Sequence, residues 1–186
     1  LGVAYDKSGK YKEAIKSYKQ AIKIDPDDAT AHSNLGNAYY DSGKYQEAIE
    51  SLKQAVKIDP DYALAHCNLG VAYGKSGKYK EAIKSYQQTI KIDPDDATAH
   101  YNLGNAYDES GKYKEAIEAY KQAIGIDPDF AEAHNNLGNA YCDSGKYKDA
   151  IKSYQQTIRI NPDFAAAHNG LGNAYYDSGK YQEAIK

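Results

Sequence analysis

The side chains able to do chemistry recur along this chain at a fixed interval. His32, His66, His100, His134 and His168 stand 34 residues apart, a pattern that invites a metal site or a proton relay. Like positions on neighbouring repeats of a helical array lie about 8–10 Å apart. Imidazoles so spaced cannot share one metal through bonds of about 2 Å. No HxxxH or CxxC spacing occurs either. The histidines therefore read as structural, packed between helices and bonded to a neighbour. Asp-Pro-Asp recurs at 25–27, 59–61, 93–95 and 127–129, where its carboxylates point outward and serve as helix caps. No phosphate loop, nucleophile elbow or paired-acid arrangement stands apart from the repeat. No catalytic residue, metal ligand or cofactor is assigned, and no enzyme activity is expected in these residues.

The two cysteines, Cys67 and Cys142, fall on like helices two repeats apart. A separation of about 16–20 Å follows, far beyond the reach of about 7 Å for a disulfide. Free thiols favour a reducing compartment such as the cytoplasm.

Amides are the more informative groups. Asn34, Asn68, Asn102 and Asn136 form one row, and Asn37, Asn105, Asn139 and Asn173 another. Asparagine is a mediocre residue inside a helix, because its side chain competes for backbone partners. Its merit is one acceptor and two donors, which match a peptide bond. A ladder of such amides can hold an extended chain by its backbone; equally, a row can bridge neighbouring helices. Between the rows lie phases that vary from repeat to repeat and would carry specificity. Tyr40, Tyr101 and Tyr176 belong to them. So do Asp108, Glu109, Glu132, Asp143 and Asp177, an acidic set in the second half. That set would steer in a basic partner, or consist of solvated carboxylates near helix ends.

The elements that position these groups follow from the apolar skeleton. Leu35, Leu69, Leu103, Leu137 and Leu171 are each followed by glycine and, four residues on, by tyrosine. Ala31, Leu35, Ala38 and Tyr39 make one helical stripe, which Ser42-Gly43 ends. Tyr45, Ala48, Ile49, Leu52, Ala55 and Val56 make a second, which Asp59-Pro60-Asp61 ends. Each repeat is thus two helices joined by a short turn. Gly36 and its equivalents sit inside the first helix at a cost of roughly 1 kcal/mol relative to alanine. Close approach of the second helix, opposite Ala48 and Ala55, is the expected compensation. Thr89 and Thr157 replace alanine at the latter phase.

Histidine, two residues, Leu-Gly, two residues and Tyr, then Ala, a bulky residue and Pro, resembles the tetratricopeptide repeat. Histidine stands where that family often has tryptophan. The resemblance covers the whole chain and implies an all-α fold, a right-handed superhelical solenoid of antiparallel helix pairs. Full repeats would run 29–62, 63–96, 97–130 and 131–164, with part-repeats at 1–28 and 165–186, in a single array. It also implies that the first-helix face lines a concave groove for an extended peptide. The asparagine rows are similar to the inner face of the repeats of O-linked N-acetylglucosamine transferases, where asparagines hold peptide backbone. Peptide contact is accordingly expected at Asn34, Asn37, Asn68, Tyr101, Asn102, Asn105, Asp108, Asn136, Asn139 and Asn173. The basic clamp with which some members grip a C-terminal carboxylate is absent, since those phases carry Ser, Cys, Tyr and Asn.

A non-catalytic interaction scaffold for a protein or peptide in extended conformation is the leading expectation. Four repeats of about 10 Å would engage roughly 12 extended residues. The alternative is the substrate-recruiting arm of a larger enzyme such as a glycosyltransferase. A net charge of -3 argues against nucleic acid, and no run approaches the roughly 20 apolar residues that span a bilayer. The chain starts in mid-helix without methionine and reads as a piece of a longer protein. Its unfinished ends, with Leu171, Ala174 and Tyr175 short of a partner helix, are expected to fray at 1–10 and 176–186. Weak end-to-end association would cover them.

Overall fold

A computed structural model describes residues 10–180. Among them every regular element is a helix: α1 Tyr11–Ile24, α2 Ala29–Asp41, α3 Tyr45–Ile58, α4 Ala63–Lys75, α5 Tyr79–Ile92, α6 Ala97–Glu109, α7 Tyr113–Ile126, α8 Ala131–Asp143, α9 Tyr147–Ile160 and α10 Ala165–Asp177. The fold is all-α, and the first helices begin at the 34-residue interval of the sequence. The chain divides into two compact units, Leu1–Pro94 and Asp95–Lys186. α1 to α5 belong to the first unit and α6 to α10 to the second.

Within a repeat the turn between the two helices is set by Ser-Gly-Lys. Gly43 takes φ 77°, the left-handed conformation that only glycine adopts freely. Lys44 N–H then donates to Tyr39 C=O at 2.8 Å and Gly43 N–H to Tyr40 C=O at 2.9 Å, the paired bonds of a Schellman motif. Ser42 Oγ donates to the same Tyr39 carbonyl at 2.8 Å. A turn this short obliges the second helix to run back along the first. The lysine ammonium also lies over the tyrosine ring, at 6.0 Å for Lys44 on Tyr39 and 5.8 Å for Lys112 on Tyr107. That cation–π contact accounts for Tyr and Lys at these two phases.

Between repeats the Pro-containing turn is locked by histidine. His32, His66, His134 and His168 place Nε2 at 3.0, 2.9, 3.0 and 2.8 Å from the carbonyls of Pro26, Pro60, Pro128 and Pro162. The partner is thus the turn that precedes the histidine's own helix. The first aspartate of Asp-Pro-Asp ends the helix before it through its backbone N–H, but its side chain does not cap the next helix. Asp59 Oδ1 accepts from Asp61 N–H, and Asp127 Oδ1 from Asp129 N–H, both at 3.1 Å, which folds the turn itself. Side-chain capping comes from the following residue, and only where it is aspartate. Asp28 accepts from Ala31 N–H at 2.9 Å and Asp96 from Ala99 N–H at 3.0 Å. Tyr62, Phe130 and Phe164 hold that phase elsewhere, with no side-chain cap.

The glycine inside α2, α4, α6 and α8 does meet the second helix closely, but chiefly through another residue than expected. A Cβ on Gly36 would stand 2.5 Å from Leu52 Cγ. On Gly70, Gly104 and Gly138 it would stand 2.6, 2.5 and 2.6 Å from the rings of Tyr86, Tyr120 and Tyr154. Ala48 contributes only its carbonyl oxygen, 3.2 Å from the Gly36 position, and Ala55 does not enter. The large side chain fills the gap that glycine leaves, while Ala14, Ala48, Ala55, Ala116 and Ala150 close the helix pairs at full burial. Thr89 and Thr157 are buried in alanine's place, and their hydroxyls donate to Ser85 and Ser153 carbonyls at 3.2 and 3.1 Å.

The expectations about the ends rest mostly on residues 1–9 and 181–186, which lie outside the described residues. The packing of α6 on α7 yields the first prediction. Gly104→Leu should destabilise the protein by at least about 1–3 kcal/mol through overpacking against Tyr120, although leucine is the better helix former. Gly74→Leu, where a Cβ meets nothing within 4 Å, should be neutral or stabilising. Chemical denaturation of the two variants checks both outcomes.

Candidate peptide-binding face

The face of interest is the side of each first helix that the core stripe leaves outward. In the second unit it is organised by core tyrosines whose hydroxyls bond the asparagines of this face. Tyr120 is fully buried over Gly104, yet its hydroxyl donates to Asn105 Oδ1 at 2.8 Å. Tyr154, over Gly138, donates likewise to Asn139 Oδ1 at 2.7 Å. Cys142 Sγ lies 3.7 Å from the same hydroxyl, and burial pushes this thiol above its usual range. Burial also raises the Tyr120 and Tyr154 phenols, so both hydroxyls stay protonated donors.

These bonds decide how each amide is turned. With the oxygen held by tyrosine, it is the Nδ2 group that Asn139, an exposed residue, has left to offer. Asn105 Oδ1 also accepts from Asn136 Nδ2 at 2.9 Å, across the α6 to α8 step. Asn136 gives its other N–H to Tyr101 Oη at 3.2 Å and receives Asn135 Nδ2 at 3.2 Å on its oxygen. Asn136 is therefore a brace between first helices, with both donors committed. Tyr101 leans on Phe130 and Tyr120, with ring centroids 4.8 and 6.0 Å away. The structure thus brings Tyr101, Asn105, Tyr120 and Asn136 into one network.

The other predicted residues stand apart from it. Asn34, Asn37, Asn68 and Asn102 are half-buried and make no side-chain hydrogen bond among the described residues. Asn37 lacks a hydroxyl partner because Leu52 occupies the phase of Tyr120. Asn173 is exposed on α10. The first row is interrupted at Gly170 for a steric reason: a Cβ there would stand 2.6 Å from the Tyr154 ring. In α4 the second row gives way to Val71, and Leu64 beside it is 56% exposed, so this helix presents an apolar stretch.

Two oxygens on α6 and α8 are shielded from water without any donor: Asp108 Oδ1 and Asn135 Oδ1. Burial, with the charges of Asp143 on α8 and Glu109 on α6, pushes the Asp108 carboxyl from 3.8 to about 6. The roles of Tyr120 and Tyr154 and the burial of Asn135 do not follow from the repeat pattern of a single helix. The signal for Tyr120 and Tyr154 is an asparagine 15 residues before each, at Asn105 and Asn139.

A family model described as TPR repeat matches residues 2–43, 36–77, 75–109, 105–143 and 138–179. The chain belongs to the TPR repeat family. Its array is similar to a crystal structure of MamA, with 34% identity and a TM-score of 0.83 over 89% of this chain and 96% of that one. MamA from Desulfovibrio magneticus RS-1 is similar at 24% identity and a TM-score of 0.82, over 88% and 92% of the two chains. YrrB, described as a TPR protein with an unusual peptide-binding site, shares the fold at 23% identity and a TM-score of 0.79, over 90% and 87%. No curated protein matches the chain significantly.

The raised Asp108 carboxyl gives this TPR array a pH signature. The folded state holds its proton more tightly than the unfolded chain, so stability falls as pH rises from about 4 through about 6. Asp108→Asn removes that penalty. The variant should match the parent at pH 4 and exceed it at pH 7.5, by about 1 kcal/mol once solvent screening of a half-buried group is discounted. Thermal melts at the two pH values check the sign and the crossover.

Proposed function

We propose that this TPR array is a non-catalytic interaction scaffold whose first-helix face holds an extended peptide through oriented asparagine amides. One observation carries the reading: in the second unit the oxygens of Asn105 and Asn139 are held by buried tyrosine hydroxyls at 2.8 and 2.7 Å. A free amide on a helix surface must be ordered when ligand arrives, which costs about 0.5–1.5 kcal/mol per side chain. Here that ordering is already done, and the Asn139 N–H groups are set to donate to peptide carbonyls. Asn102, with no hydrogen-bond partner among the described residues, offers a complete amide beside them. Membership of the TPR family favours a protein partner, and the peptide site named for YrrB lends support at the level of fold. The asparagine-lined repeats of O-linked N-acetylglucosamine transferases supply the chemical parallel. The ligand is read as backbone-directed, so one face accepts many side chains.

Selection from a random peptide library, followed by affinity measurement on an Asn102→Ala/Asn139→Asp variant, tests this. Aspartate keeps the acceptor for Tyr154 and replaces only the N–H groups left to offer. The variant should retain the parent's melting temperature and lose at least about tenfold in affinity for the selected peptides. Unchanged affinity would remove the asparagines from the interface.

A further inference from the structure

The first unit carries a different kind of surface, formed by α3, α4 and α5. A cavity of about 360 Å³ opens between them, within the range of roughly 300–1,000 Å³ that accommodates ligands. Its floor is apolar: Leu69 of α4 is buried, with Val56 of α3 and Tyr73 of α4 half-buried beside it. α4 reaches the cavity through His66, Leu69 and Tyr73, at i, i+3 and i+7. Asn68 and Val71, at the phases of the asparagine rows, lie on another stripe of the same helix. The cavity is therefore separate from the asparagine face, and every residue lining it belongs to one compact unit.

The rim is cationic. Lys53 and Lys57, one turn apart on α3, and Lys84 on α5 are exposed and line the same cavity, against a single carboxylate, Glu81. None of the three lysines forms an ion pair among the described residues. In the second unit, by contrast, Lys121 lies 3.1 Å from Glu118 and Lys152 lies 3.8 Å from Asp149, so charge is answered within one helix. Nor does the repeat dictate the triad. The same three phases carry Lys19, Lys23 and Glu50 one repeat earlier and Gln87, Lys91 and Glu118 one repeat later. After those come Lys121, Gly125 and Lys152. Only around the α4 cavity are all three cations, an arrangement that helix packing does not require and that mutual repulsion disfavours.

We propose that this cavity docks an acidic peptide segment of a partner protein, with one aliphatic side chain set between carboxylates. The apolar floor takes the side chain, whose removal from water drives the contact. The ammonium groups of Lys53, Lys57 and Lys84 receive the flanking carboxylates from the α3 and α5 sides. Charge complementarity selects this occupant. Three lysines less Glu81 leave the rim at +2, which repels a basic segment, and a neutral segment leaves the lysines unanswered. The inference is independent of the asparagine face and stands or falls without it.

The test is NMR titration of the 15N-labelled protein with three peptides. They are acetyl-Glu-Asp-Leu-Asp-Glu-amide, its neutral counterpart acetyl-Gln-Asn-Leu-Asn-Gln-amide, and acetyl-Glu-Asp-Ser-Asp-Glu-amide, which lacks the apolar anchor. The first should shift backbone amides within 53–57, 66–73 and 81–88 and bind at least about tenfold tighter than either of the others. Lys53→Gln/Lys57→Gln/Lys84→Gln, at exposed positions, should keep the fold and abolish the advantage over the neutral peptide. Lys91→Gln/Lys114→Gln/Lys148→Gln removes the same charge from exposed positions elsewhere and should leave that advantage in place. If the neutral or the serine peptide binds as tightly as the first, the docking site is overturned. An equal loss in both variants would overturn it too, since attraction would then follow net charge alone. So would the absence of shifts in α3, α4 and α5 at about 1 mM peptide; shifts confined to Asn34, Asn68 and Asn102 would put the peptide on the other face.

Discussion

The structure depends on one contact, a large side chain of the second helix set into the gap over a glycine of the first. Leu52 over Gly36, Tyr86 over Gly70, Tyr120 over Gly104 and Tyr154 over Gly138 repeat it. With a Cβ at 2.5–2.6 Å from its neighbour, no residue but glycine fits unless the packed side chain or its helix gives way. That constraint brings the two helices close enough for alanines to seal the remainder, and it explains glycine within helices despite its unfavourable propensity. The connections within and between repeats are then held locally. The Ser-Gly-Lys turn joins the two helices through backbone bonds, and histidine on the proline carbonyl fixes the turn that leads in from the preceding repeat.

The same contact builds the functional face. A tyrosine ring packed over glycine carries its hydroxyl to the side chain of the residue directly after that glycine. In the second unit that residue is asparagine, and the hydroxyl fixes which end of the amide is left to offer. In the first unit the pairing fails twice, by Leu52 opposite Asn37 and by Val71 opposite Tyr86. Packing and recognition are therefore coupled through single residues. A core substitution of tyrosine by leucine would keep the helix pair and release the amide.

The fold was largely legible because its signals are local and repeated. Periodic apolar residues, turn glycines and prolines mark each helix without reference to long-range contacts. What the sequence left open was the partner of each side chain. Gly36 was expected opposite Ala48 and Ala55, since small residues suggest close approach; the gap is instead filled by a large one, which spacing alone does not distinguish. The Asp-Pro-Asp carboxylates were expected as caps, yet capping falls to Asp28 and Asp96 one position later. Asn136 and Asn102 share a row and a phase, but only Asn136 is consumed as a brace. That difference depends on Tyr101 and Asn105 of the preceding first helix, a relation that no single-helix pattern contains.

The claim that a core tyrosine orders the recognition amide can be measured directly. Side-chain 15N relaxation of Asn139 in the parent and in Tyr154→Phe reports the amide's motion on the picosecond to nanosecond scale. Phenylalanine keeps the ring over Gly138 and removes only the hydroxyl. The account predicts a rigid Asn139 side chain in the parent that becomes mobile in the variant, with the backbone of α8 and α9 unchanged. An Asn139 amide already mobile in the parent, or equally rigid without the hydroxyl, would contradict it.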